Sequence, residues 1–289
     1  MTSTHRLGFA RGARKFLFCG FIVLSLFGML ATSSIAALIT LSDDNSTVDF
    51  DTTSSANAYN WSVEGQDQLF QQAFWYRVGN GPEQSLHALP IGFQLASNTN
   101  SDPNLDTLNV VYNGPGYNIE VTYRLDGGAV GSGASDMGEQ IAITNNSGAP
   151  LDFHFFQYSD FEILGTPGND TAVFVNANTV RQFEGPISLN ETVASPAPSH
   201  REINFFDITR DNLEDGVATT LNDLLPNGVP LGPGDMTWAY QWDRTIPASG
   251  IGRTFIISKD KRLNVVPEPA TFGLLTVAAG LLFAGRRER

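Results

Sequence analysis

Tyr117-Asn118-Ile119-Glu120-Val121-Thr122-Tyr123-Arg124-Leu125 is the stretch that decides the fold. Every odd-numbered residue is apolar or aromatic, and every even-numbered one is polar. Successive side chains of a strand point to opposite faces, so this alternation describes a strand with one buried and one wet face. Met236-Thr237-Trp238-Ala239-Tyr240-Gln241-Trp242 repeats the pattern with larger side chains. Less regular runs at 69–78, 86–95, 107–112, 140–144, 151–158, 172–175, 179–183, 202–208 and 253–258 read as further strands. Residues 37–41, 47–50 and 58–63 add three short ones near the start.

Turn chemistry separates these runs. Asn80-Gly81-Pro82, Asn113-Gly114-Pro115-Gly116, Asn146-Ser147-Gly148 and Pro167-Gly168-Asn169 supply residues that accept positive φ or preset a turn. Many short strands joined by such turns predict a mainly β domain, an antiparallel β-sandwich. One short helix is expected. Asp211 can cap it with Glu214 as the capping-box partner, and Leu213, Val217, Leu221, Leu224 and Leu225 fall on one face. Pro226-Asn227-Gly228 would stop it. Ser195-Pro-Ala-Pro-Ser199 reads as a long loop between sheets, or as a linker between two subdomains. Asp126–Gly138 reads as a long hairpin loop.

The ends carry an address. Residues 1–37 have the parts of a secretory signal peptide: a basic start (Arg6, Arg11, Arg14, Lys15), an apolar run over 16–30, and the small-residue site Ser34-Ile35-Ala36. Cleavage is expected after Ala36 or Ala37. Cys19, the single cysteine, would leave with the leader, so the exported domain of residues 38–265 has neither disulfide nor thiol chemistry. It must be held together by its core. Residues 266–289 begin with the stiff, non-helical Pro267-Glu268-Pro269, continue through an uncharged run, and close on Arg286, Arg287 and Arg289. The apolar part, 271–285, is short beside the about 20 residues of a full membrane span, and terminal arginines reach head groups by snorkelling. Arginines favour the cytoplasmic side, so the domain would face outward.

In its ordered triple of Pro267-Glu268-Pro269, apolar helix and arginine cluster, this tail resembles the PEP-CTERM sorting signal. The resemblance covers the tail alone and leaves the central domain unassigned. It implies recognition by an exosortase, a membrane transpeptidase that removes the tail, after transit through the export translocase and signal peptidase. It also implies a link to extracellular polysaccharide and biofilm. The expected location is the inner membrane, transiently and facing out, then the cell surface or medium.

Charge narrows the function of the domain. Residues 38–265 hold ten Lys and Arg against 28 Asp and Glu, a net charge near −18, with Lys259 and Lys261 as the only lysines. Such a domain repels nucleic acid and anionic surfaces. Catalytic motifs are missing: there is no G-x-S-x-G elbow, P-loop, dinucleotide glycine fingerprint or H-E-x-x-H helix. His87, His154 and His200 are scattered. Asp152, Asp160 and Glu162 flank an aromatic strand and are the candidates for a glycosidase acid pair. Asp102, Asn104 and Asp106 have the alternating oxygens of a calcium loop, which makes calcium a candidate ligand. The loop then lacks the glycine and the final acid of an EF-hand, and an Asx-rich turn explains it as well. Trp75 and Tyr76 lie in a strand with aromatics on both sides and are the candidates for stacking on a sugar ring. The resulting expectation is a non-catalytic, exported surface or matrix protein that binds polysaccharide. The alternatives are a polysaccharide-active hydrolase or lyase, and a self-assembling surface subunit.

Overall fold

The structure, a computed structural model, describes residues 38–265. The leader, the Pro-Glu-Pro motif, the 271–285 run and the terminal arginines lie outside the described residues. Among the described residues no helix is long and apolar enough to cross a membrane.

In chain order the strands are β1 (Ile39–Asp43), β2 (Ser46–Asp51), β3 (Asn57–Val63), β4 (Gln66–Asp67), β5 (Leu69–Val78) and β6 (Gln84–Ser85). Next come β7 (Ile91–Ser97), β8 (Thr107–Gly114), β9 (Tyr117–Gly127), β10 (Ala134–Asn145), β11 (Leu151–Phe161) and β12 (Asp170–Asn176). The last six are β13 (Thr179–Glu184), β14 (Ile187–Ser195), β15 (His200–Phe205), β16 (Pro230–Gly234), β17 (Met236–Ile246) and β18 (Thr254–Asn264). One α-helix, α1 (Ile208–Glu214), follows β15. The strands form two sheets. The first runs β1-β2-β3-β5-β11-β17-β15, with β4 on β3 and β6 on β5; the second runs β16-β12-β13-β14-β18-β10-β9-β8-β7. Pairing is antiparallel apart from a short parallel contact of β3 with β5 at Gln72.

The alternation sets the layers. Ile119, Val121, Tyr123 and Leu125 of β9 face inward, against Phe74, Phe155, Trp238 and Trp242 from the first sheet, in one core. Each such side chain contributes roughly 1.5–3 kcal/mol by leaving water. Aromatic pairs add shape: Phe161 stacks on Trp238 at 5.3 Å and Tyr76 on Phe153 at 5.9 Å.

Two pairs of opposite charge sit inside this core. Glu139 on β10 is the register partner of Lys259 on β18, and Glu191 on β14 is the partner of Lys261. All four side chains point inward and are fully enclosed. Both ammonium groups bond Glu139 and lie 3.4 and 3.5 Å from Glu191. The first sheet completes the shell. Gln72 donates to Glu139 at 2.8 Å, while Gln157 and Trp238 donate to Glu191 at 2.8 Å. Burial opposes the charge of Glu139, but the two lysines outweigh it and hold the carboxyl at about 2. Isolated charges could not stay here; a neutral quartet with every carboxylate oxygen bonded can.

The outer face of the first sheet is covered as well. Ala73, Trp75, Phe156, Tyr158 and Ala239 form a second, smaller core with Leu213 of α1 and Leu221 of the following irregular segment. The helix expected from Asp211 onward is therefore displaced. It spans Ile208–Glu214, and Gly216, at φ +79°, turns the chain out of it. Leu221 reaches the sheet from irregular chain, while Val217 and Leu224 are 65% and 80% exposed. The apolar spacing reflected two anchoring leucines rather than a helical face.

Other boundaries also move. β14 was not anticipated, because Asn190 and Glu191 interrupt its apolar run. The 126–138 loop shrinks to residues 128–133, since Ala134–Gly138 extend β10. The Ser195–Ser199 segment joins β14 in the second sheet to β15 in the first, as a loop between sheets. The ends of the two sheets are tied where Asp43 accepts the Gly127 amide at 2.7 Å, in a space so close that a Cβ on Gly127 would meet the Asp43 carbonyl oxygen at 1.9 Å.

Candidate functional site

An outward-facing cavity of about 420 Å³ opens on the outer side of the first sheet, between β3, β4, β5, the chain after β11, and α1. Tyr59 and Asn60 come from β3. Asn57 and Asn60 both adopt positive φ, a backbone that asparagine tolerates better than most residues. The resulting irregularity turns Ala58 and Trp61 into the core and leaves Asn60 exposed toward the cavity. Phe70 and Gln71 begin β5, Asp67 is on β4, Glu162 follows β11, and Arg210 reaches in from α1.

The walls are of two kinds. Phe70 is 47% exposed and packs edge-on against Phe206, 6.0 Å between ring centres. The Arg210 guanidinium lies 5.3 Å from the Phe206 ring, pairs with Asp207, and donates to Gln71 Oε1 at 3.2 Å. Gln71 in turn donates to the Ser55 carbonyl, which fixes the cavity floor. Against this apolar and amide surface stand carboxyls. Burial, then Asp235 and Asp67, raise Glu162 above its ordinary range; burial also raises Asp67. Behind the Gln71 wall, Asp160 is the register partner of Gln71 on β11. Burial, then Asp235 and Glu162, push its carboxyl up to about 8, and its Oδ1 has no hydrogen-bond partner. Burial and Asp207 raise Asp235. Burial, then Asp49 and Asp51, raise Tyr59 above its ordinary range. Asp67 and Glu162 thus line the cavity with Asp160 and Asp235 close to Glu162, while Arg210 is already paired with Asp207. The arrangement can stack a flat apolar face, accept hydrogen bonds from hydroxyls, and hold a positive charge.

The sequence candidates fare unevenly. Asp160 and Glu162 belong to this cluster. Asp152 does not: it lies eight residues from Asp160 along β11, roughly 26 Å at strand rise. Trp75 and Tyr76 are not platforms. Trp75 is 1% exposed and lies beneath α1 with its ring against Tyr158, and Tyr76 is stacked in the main core with its hydroxyl donating to Gln84. The exposed aromatic of that strand is Phe70, six residues before Tyr76, because β5 is covered on both faces along most of its length. Asp102, Asn104 and Asp106 hold their own loop together. Asp106 accepts from the Thr99 amide and hydroxyl and from Thr107; burial opposes its charge, but these bonds outweigh it and hold the carboxyl below its ordinary range. Asp102 accepts from the Asn104 amide at 2.9 Å.

The histidines separate. His87 sits in a short turn, Leu86–Ala88. His154 and His200 converge on Asp243, at 2.5 and 3.4 Å, and His200 also meets Asp223 at 2.5 Å. With Arg77, which bonds Glu83 and the Thr219 carbonyl, they pin the irregular segment after α1 to the sheet. Among the described residues no group of three or more His, Cys, Asp or Glu is arranged to hold a metal ion.

No protein-family model matches the sequence, and no curated protein matches it. Among solved structures, a bacterial glucoamylase in complex with acarbose is similar over 84% of this chain and 36% of its own, at 10% identity and TM-score 0.53. The chain thus spans about a third of that protein's length, and the likeness concerns the fold. A second structure, described as an aldose 1-epimerase from Escherichia coli K12, aligns over 79% of this chain and 98% of its own at 12% identity and TM-score 0.44.

Proposed function

We propose that this is an exported matrix or surface protein, processed at its tail by an exosortase, that binds extracellular polysaccharide through the Phe70–Glu162 cavity without cleaving it. The observation that carries the binding reading is the cavity itself: exposed Phe70 and half-buried Tyr59 beside Asn60, Asp67, Glu162 and Arg210, in a volume of about 420 Å³ that suits one or two sugar rings. A sugar offers an apolar ring face and a rim of hydroxyls, and the cavity presents a partner for each. The fold's likeness to part of a glucoamylase is compatible with a carbohydrate-related role. The address reading rests on the Pro267-Glu268-Pro269, apolar and arginine triple together with the leader.

Asp160 and Glu162 give the hydrolase alternative its specific support, since a carboxyl raised to about 8 is a proton donor at neutral pH. Asp160 is 1% exposed, however, and is not among the residues lining the cavity. The test is co-sedimentation of the full chain with the producing organism's polysaccharide, with glycan size measured before and after. Retention of the native protein, loss of retention in Phe70→Ala and unchanged glycan size are expected. Shortened glycan overturns the non-catalytic reading, and equal retention of Phe70→Ala overturns the assignment to this cavity. For the address, mass spectrometry of the exported protein is expected to find a C-terminus near Pro267–Pro269. An intact Arg289 terminus on the exported protein refutes it.

A further inference from the structure

We infer that the cavity selects a cationic glycan, one whose sugar units carry a free amine, as in a deacetylated hexosamine polymer. This rests on the polysaccharide-binding reading and names the class of polysaccharide.

The argument starts from what the walls lack. Among the described residues, the one cation lining the cavity, Arg210, is committed to Asp207 and Gln71 and lies against Phe206. No lysine is nearby, since both lysines of the domain are enclosed in the core quartet. Asp67 and Glu162 line the opening with no basic partner among the described residues, and Asp160 and Asp235 lie close to Glu162. Each of these carboxyls is raised, by burial first; Asp160 is raised further by Asp235 and Glu162, and Glu162 by Asp235 and Asp67. A cation placed among them would relieve that repulsion, so an ammonium-bearing ligand gains where a neutral one does not. A uronate or a sulfated sugar would add charge of the same sign, within a domain of net charge near −18. The aromatic edge at Phe70 and Tyr59 then favours a ring over a bare ion, because it offers no oxygen ligand from Phe70 and a face that a cationic sugar can cover. The shape and the charge therefore point to the same ligand: a flat ring with an amine on its rim.

Titration calorimetry on the full chain in detergent, at pH 6.5, tests this with four probes: a glucosamine tetramer, its fully N-acetylated counterpart, a galacturonate tetramer, and calcium chloride. The glucosamine tetramer is expected to bind at least tenfold more tightly than the acetylated one, and the uronate not at all. Raising salt should weaken the amine oligomer. Glu162→Gln should lower its affinity tenfold or more, with partial recovery in Glu162→Asp. Because Gln removes a repelled carboxyl, that variant should fold at least as stably as the native protein, and circular dichroism checks it. Equal or tighter binding of the acetylated tetramer overturns the amine assignment and leaves polysaccharide binding standing. Millimolar calcium that binds in a Glu162-dependent way also overturns it, by giving the acids to a metal. Failure of every oligomer while the organism's polysaccharide still sediments with the protein overturns it too. Failure of the polysaccharide as well removes the reading on which it rests.

Discussion

Replacing Glu139 by Gln isolates the cost of a buried charge from the cost of a hole, because the two side chains are nearly the same size. In the native core both Lys259 and Lys261 bond Glu139, and Gln72 donates to it at 2.8 Å. After the change the two ammonium groups face Glu191 alone, at 3.4 and 3.5 Å, inside a shell of Phe74, Gln157 and Trp238. One positive charge is left uncompensated in a fully enclosed site. Breaking a buried pair from one side costs about 3–5 kcal/mol. In a domain of this size each kcal/mol lowers the melting temperature by about 2–4 °C, so a drop of roughly 6–20 °C is expected. Thermal melts and urea titrations at pH 7 measure it. The pH profile gives a second reading. Glu139 is held at about 2, below its unfolded value, so its contribution is present above about pH 4.5 and fades as pH falls toward 2. Glu139→Gln should lose that acid limb. Adding Lys259→Gln to it should recover part of the stability by restoring neutrality. A single-variant loss below about 1 kcal/mol would refute the reasoning and show that the lysines lose their protons at little cost.

Asp160→Asn should act in the opposite direction with pH. The Asp160 carboxyl is pushed up to about 8, so its contribution is present below the unfolded value near 4 and is lost as pH rises through 8. The variant should flatten that decline and be the more stable protein at pH 8, by about 1 kcal/mol or more in urea titration. Trp75→Ala should cost about 3–5 kcal/mol, because the ring fills the core beneath α1, yet leave glycan retention by the folded fraction unchanged. Gly127→Ala should cost roughly 1–3 kcal/mol or more by driving a methyl group into the Asp43 carbonyl, and a lower urea midpoint records it.

How far the sequence could be read depended on which faces were covered. β9 and β17 were legible because apolar and polar residues alternate in them, although β17 proves buried on both sides along most of its length. The inner residues of β18 were not legible past Ser258. Ser-Lys-Asp-Lys-Arg has no apolar residue to alternate, and only the presence of Glu139 and Glu191 on neighbouring strands explains two lysines facing inward. The same limit hid β14, whose Glu191 is the other half of the quartet. In the site, Glu162 and Asp160 were visible as acids beside an aromatic strand. Tyr59, Asn60 and Arg210 were not, since they meet only through the β3 irregularity and the entry into α1. Trp75 misled because Phe-Trp-Tyr implies an outward ring, and nothing local reveals that a later segment covers it. A signal for Phe70 did exist: it is the one aromatic of the β5 run preceded by a charged, turn-forming stretch and followed by two glutamines.

The placement of the lysines also bears on how the protein can be joined to anything else. Residues 38–289 contain only two lysines, Lys259 and Lys261, and both amines are sealed in the core. The folded domain therefore presents guanidinium groups but no side-chain amine nucleophile. An ester reagent or an aldehyde will find the α-amine at the start of the chain and little else. A transpeptidase handing the cut C-terminus to an amine would find no lysine for it on a neighbouring folded copy. Under the processing proposed above, chains of such copies linked end to side through lysine are closed to this protein, which leaves the α-amine of another copy or a group on a different molecule as the acceptor.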